Sequence, residues 1–172
     1  DLLNLNEEYD FMPCRPGDVY VNQESEDFKK VLGTYGFGLT EVADLTQLHD
    51  ITKVSLYHDG GVPDEVRLAL REKWSDRMEV AIAGRVWLDF TAKGANKGNA
   101  LTMIQEHFGI TPEETVAFGN ADNDIPMIKQ AKYGYAVADA SENLKQIAYE
   151  VIGPMEEDAV LSKLKEILAE ME

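Results

Sequence analysis

Residues 97–127 read KGNALTMIQEHFGITPEETVAFGNADNDIPM, and two features inside them decide the fold. Lys97-Gly98 opens a segment in which Leu101, Ile104 and Phe108 recur at helical spacing. A helix over 97–108 is therefore predicted, with those three side chains inward and Asn96 as its N-cap. Val116-Ala-Phe-Gly119 is an apolar strand that runs directly into Asn120, Asp122, Asn123 and Asp124, and Pro126 sets the first turn of a helix at 124–131. Downstream, strand 134–138, helix 141–148, strand 149–152 and helix 157–170 alternate strictly. Such alternation predicts an α/β fold with a parallel sheet and flanking helices. In the last helix Val160, Leu161, Leu164, Ile167, Leu168 and Met171 form one apolar stripe, expected to pack on that sheet.

Upstream the texture differs. Pro13, Pro16 and Gly17 make residues 1–18 read as an irregular lead-in to a short strand at 19–21. Phe28, Val31 and Leu32 predict a helix over 24–33, stopped by Gly33, Gly36 and Gly38. Residues 54–58 alternate as a strand closed by Asp59-Gly-Gly61, and Pro63-Asp-Glu65 starts a helix that ends near Trp74. Val80 and Ile82, then Val86, Leu88 and Phe90, flank a tight turn at Ala83-Gly84-Arg85. This is an α+β unit over 1–92, with a boundary near 92–96.

The chain has 172 residues and 44% hydrophobic content, enough for a real core. Thirty-two acidic residues against sixteen basic ones leave a formal charge of -16, so neither nucleic acid nor an anionic membrane is expected as a partner. The same charge repels a phosphorylated substrate unless a lysine or a divalent cation compensates locally, which points toward magnesium. The single cysteine, Cys14, excludes an intramolecular disulfide, and no stretch reaches the roughly eighteen apolar residues of a membrane span. A cytoplasmic location is expected. The chain opens on Asp1 rather than methionine, which suggests a cut or partial protein.

Lys97 occupies the first position of its helix, where a cation beside the positive dipole end costs roughly 0.3–1 kcal/mol. Either it is simply solvated, or it serves an anion drawn to the helix mouth. The loop after Val116–Gly119 sits where ligands gather in parallel sheets, at a strand's carboxyl end, and offers hard oxygen ligands. Its alternative role is to cap the following helix. His49, His58 and His107 lack metal-ligand spacing.

Taken together, KGANKGNAL (93–101) and VAFGNADNDIPMI (116–128) resemble the haloacid dehalogenase (HAD) superfamily, specifically its Cof-type phosphatases with a large cap, over about residues 50–168. The resemblance implies a partial Rossmann-like core at 93–172, its C-terminal half, and an incomplete cap domain at 1–92. It gives Lys97 a catalytic and phosphate-binding role, steadying the charge of nucleophile and phosphate. Asn123 becomes a phosphate contact, Asp124 a catalytic acid that supports the metal shell, and Asn120 a metal ligand. The family has an aspartate where Asn120 stands, so weaker magnesium binding is expected.

The family's nucleophile motif, Asp-x-Asp-Gly-Thr, does not occur in these 172 residues. Asp122-Asn-Asp124 is followed by Ile125-Pro126 instead and already belongs to the other motif. The resemblance therefore implies a magnesium-dependent phosphohydrolase of small phosphorylated metabolites in the parent protein, acting through an aspartyl phosphate, with this chain alone inactive. Strand 115–119 is left with an unpaired edge, for which an N-terminal segment or a self-associated copy is the expected partner. The alternative is a non-catalytic HAD-like module that binds a phosphorylated ligand or a protein partner. A third reading is a plain sugar- or nucleotide-binding α/β domain.

Overall fold

The computed structural model describes residues 9–22, 26–36 and 38–170. The chain divides into two compact units, Asp1–Gly94 and Ala95–Glu172. The predicted helix start at 24–25 and Met171 lie outside the described residues.

The first unit is a six-stranded sheet built from β1 (Asp10–Arg15), β2 (Asp18–Asn22), β3 (Leu39–Val42), β4 (Lys53–Tyr57), β5 (Met78–Ala83) and β6 (Trp87–Ala92), in the order β3-β2-β1-β4-β6-β5. All neighbours are antiparallel except β2 and β3. The irregular lead-in expected over 1–18, whose first eight residues lie outside the described ones, is corrected over residues 10–15, because β1 is a strand inside the sheet. Pro13 disguised it. The ladder between β1 and β2 covers only Cys14 and Arg15, so Pro13 is paired on one side, with Val54 of β4, and its missing N–H is tolerated. Strand β3 was not anticipated either, since the glycines ahead of it read as loop.

The alternation of strand side chains puts a different helix on each face. Phe11, Leu56, Leu88 and Phe90 share a core with Leu70 of α2 (Asp64–Trp74). Met12, Val21 and Tyr57 pack instead against Phe28 and Leu32 of α1 (Glu26–Thr34).

The second unit holds three parallel strands in the order β7-β8-β9, namely Val116–Gly119, Tyr133–Ala136 and Glu150–Val151. Its helices are α3 (Lys97–Phe108), α4 (Ile125–Gln130), α5 (Glu142–Ile147) and α6 (Ala159–Glu170). Ile128, Tyr135, Val137, Leu144 and Ile152 form its core. Among the described residues β7 pairs with β8 alone, so its other edge carries no strand.

Two helix faces differ from expectation. In α3 the buried positions are Gly98 and Gln105, with Leu101 partly buried, whereas Ile104 is 52% and Phe108 68% exposed. The inward line has rotated because Gly98 lets α3 approach Pro126 closely, and because the Gln105 amide donates to Thr115 Oγ1 at 2.9 Å and to the Gln130 carbonyl at 3.2 Å. In α6, Ala159, Val160 and Ile167 meet the core while Leu161, Leu164 and Leu168 are exposed. Lys163 has turned inward, bridging Glu150 at 2.8 Å and Glu166 at 3.0 Å.

Candidate active site

The site is assembled at the carboxyl end of β7. Asn96 adopts an extended backbone and its Oδ1 accepts from the Asn99 N–H at 2.9 Å, which starts α3 with Lys97 as its first residue. Gly98 is then pressed against α4: a methyl added there would sit 2.7 Å from the Pro126 carbonyl carbon. This close approach brings the Lys97 ammonium into an ion pair with Asp124 Oδ1.

Asp124 is 3% exposed, and three donors offset the cost of holding its carboxylate out of water. Besides Lys97 on Oδ1, Oδ2 accepts from the N–H groups of Asn120 at 2.9 Å and Ala121 at 3.1 Å. The chain can fold back in this way because Gly119 has no side chain; a Cβ there would lie 2.8 Å from that of Asp124. Asp124 thus closes its own loop and fixes a lysine 27 residues earlier in sequence.

The other loop residues behave differently. Asp122 accepts from Ser141 Oγ at 2.5 Å and Asn143 Nδ2 at 3.0 Å, and the Asn120 carbonyl accepts from the Ser141 N–H at 3.0 Å. Asn120 is exposed and Asn123 half-buried, and no hydrogen bond among the described residues engages either carboxamide. The structure therefore joins Lys97, Asp124 and the Asn120 backbone directly, and among the described residues shows no hydrogen bond from the Asn120 or Asn123 side chains to them. Ser141 and Asn143 were not singled out from the sequence. A serine just before Glu142-Asn-Leu144 reads only as a helix cap, and its Oγ does also accept from the Leu144 N–H at 3.3 Å.

Chemically, this is a half-exposed lysine held by a buried carboxylate, on a loop that also carries the Asn120 and Asn123 carboxamides. Among the described residues no three His, Cys, Asp or Glu side chains cluster as a metal site. The His58 ring meets that of Tyr9 tilted at 48°, and His107 meets Phe108 edge-on at 85°. Burial pushes the Cys14 thiol above its ordinary value. No helix among the described residues is long and apolar enough to cross a membrane.

The chain is similar to known proteins over most of its length. The phosphoglycolate phosphatase of Methanopyrus kandleri is 35% identical over 155 residues, which cover 90% of this chain and 64% of that protein. The 5-amino-6-(5-phospho-D-ribitylamino)uracil phosphatase YbjI of Escherichia coli is 28% identical over 163 residues, or 94% of this chain and 60% of that one. A solved structure from Streptococcus mutans UA159 matches with a TM-score of 0.86 at 27% identity, covering 98% of this chain and 64% of its own. The chain spans less than two thirds of the length of each of these relatives. A family model described as haloacid dehalogenase-like hydrolase matches residues 2–164. With nearly its whole length matched, the chain belongs to the haloacid dehalogenase-like hydrolases.

Proposed function

We propose that the protein containing this chain is a magnesium-dependent phosphatase of small phosphorylated metabolites, working in the cytoplasm through an aspartyl phosphate. The observation that carries this reading is the Lys97–Asp124 pair at the end of β7, on the loop that also carries Asn120 and Asn123. The names of the two phosphatases compared above support the substrate class.

In this reading the Lys97 ammonium counters charge on the nucleophile and the phosphoryl oxygens, and its position is fixed in advance by Asp124. The Asn123 amide donates to a phosphate oxygen. Asp124 Oδ1 has accepted one donor and retains a second lone pair, and the side-chain carbonyl of the exposed Asn120 offers another oxygen. Two protein oxygens fit magnesium, which keeps several waters and relies on substrate phosphate for the remainder. When bound, the ion neutralises phosphoryl charge and orients the group in transfer.

The attacking carboxylate would come from outside this chain. In this reading neither Asp122, held by Ser141 and Asn143, nor Asp124, held by Lys97 and by the N–H groups of Asn120 and Ala121, is the nucleophile. The first unit would serve as an incomplete cap over the substrate, and residues 93–172 as the back half of the core. Its N-terminal counterpart, or a second copy, would complete the edge of β7.

The test is hydrolysis of p-nitrophenyl phosphate with and without magnesium, by this chain and by a form extended upstream. The extended form should turn over, its Lys97→Ala variant should lose roughly 100-fold or more in kcat, and the short chain should be inert. Turnover by the short chain would sink the proposal. Asn120 favours a second reading, a module that binds phosphorylated ligands without catalysis; an inert extended form that still binds phosphate would select it.

A further inference from the structure

We infer that Ser141 and Asn143, at the start of α5, are positioning residues for the phosphoryl loop, acting through Asp122. Both oxygens of Asp122 are committed to them, Oδ1 to the Ser141 hydroxyl and Oδ2 to the Asn143 amide, across 19 and 21 residues of sequence. The Ser141 N–H holds the Asn120 carbonyl as well. Asp124 is fixed independently by the N–H groups of Asn120 and Ala121 and by Lys97.

The consequence falls on Asn123. Its two neighbours in sequence, Asp122 and Asp124, are each pinned by their side chains to different parts of the unit, while its own carboxamide stays unengaged. A side chain free to meet a ligand, on a backbone immobilised from both flanks, is a preorganised donor, and its orientation need not be reset when a phosphate arrives. The anchors are the N-cap and the second residue of α5, so the loop takes its position from that helix start as well as from its own turn. Ser141 serves two elements at once, its hydroxyl donating to Asp122 while accepting from the Leu144 N–H.

This inference rests on the proposed phosphate contact of Asn123, so the experiment reads the clamp and the ligand separately. The probes are amide hydrogen exchange at residues 120–124 and 142–147 of the whole chain, and binding of inorganic phosphate with magnesium chloride followed through the same amides. Asp122→Ala and Asn143→Ala should each speed exchange in the loop and weaken phosphate binding about tenfold, the scale of one charged hydrogen bond, and the double variant should be little worse than either. Exchange in α5 should stay unchanged in both, whereas Ser141→Ala should loosen loop and helix together and Ser141→Thr should restore both. If these variants bind phosphate as the parent does, the clamp is refuted and the phosphoryl reading stands. If the parent itself binds no phosphate although Asp122→Ala loosens its loop, the phosphoryl reading fails and the positioning role falls with it.

Discussion

At Lys97 a local rule and a tertiary contact pull in opposite directions. A cation in the first turn opposes the helix dipole by roughly 0.3–1 kcal/mol. The buried Asp124 carboxylate more than offsets this, since charged hydrogen bonds contribute roughly 1.5–3 kcal/mol. The contact exists only because residue 98 has no side chain. A Gly98→Ala substitution gains up to about 1 kcal/mol of helix propensity, but its methyl meets Pro126 backbone atoms at 2.7 Å, and these cannot rotate aside. Overpacking of that kind costs roughly 1–3 kcal/mol. Urea unfolding should therefore show Gly98→Ala less stable than the parent; equal or greater stability would mean α3 and α4 are not in such close contact.

Among the elements, the short turn ahead of β7 shows how a cap can be read through pH. Glu114 Oε2 accepts from both the N–H and the hydroxyl of Thr111, each at 2.9 Å. The backbone bond first, then the hydroxyl, hold its carboxyl below the usual carboxylate range. A group lowered on folding stabilises the native state above its unfolded value, and that contribution is lost as pH falls through the folded value. Glu114→Gln should accordingly be less stable than the parent at neutral pH, and the difference should begin to shrink near the ordinary glutamate value of about 4 and vanish once pH passes below the lower folded value. A deficit that persists unchanged into acid would show that the charge plays no part. Helix orientation was harder to read than helix existence. The stripe Leu101, Ile104, Phe108 has correct helical spacing, yet the buried line runs through Gly98 and Gln105, because a glycine contact and an amide bonded at both ends outweighed apolar periodicity.

Across the whole molecule, a formal charge of -16 acts on stability as well as on partners. Self-repulsion weakens the compact state, and screening shortens its reach from about 30 Å at 0.01 M salt to about 8 Å at 0.15 M. Thermal midpoints should rise over that range of sodium chloride; a flat or falling midpoint would mean the ion pairs dominate the net charge. The amino-acid sequence by itself determined the local pieces. Helix 97–108 follows from its Asn96 cap and from Gly109, which leaves the helix at φ 66°, and β7 follows from an apolar run that ends in polar loop residues. Strand β1 stayed hidden behind Pro13, whose one-sided pairing depends on where its neighbours stop. Which side of α3 and α6 faces inward, the union of Lys97 with Asp124, and the hold of Ser141 and Asn143 on Asp122 were decided only by tertiary structure. Each depends on the distance between elements far apart in the chain, and no periodicity along one element encodes that distance.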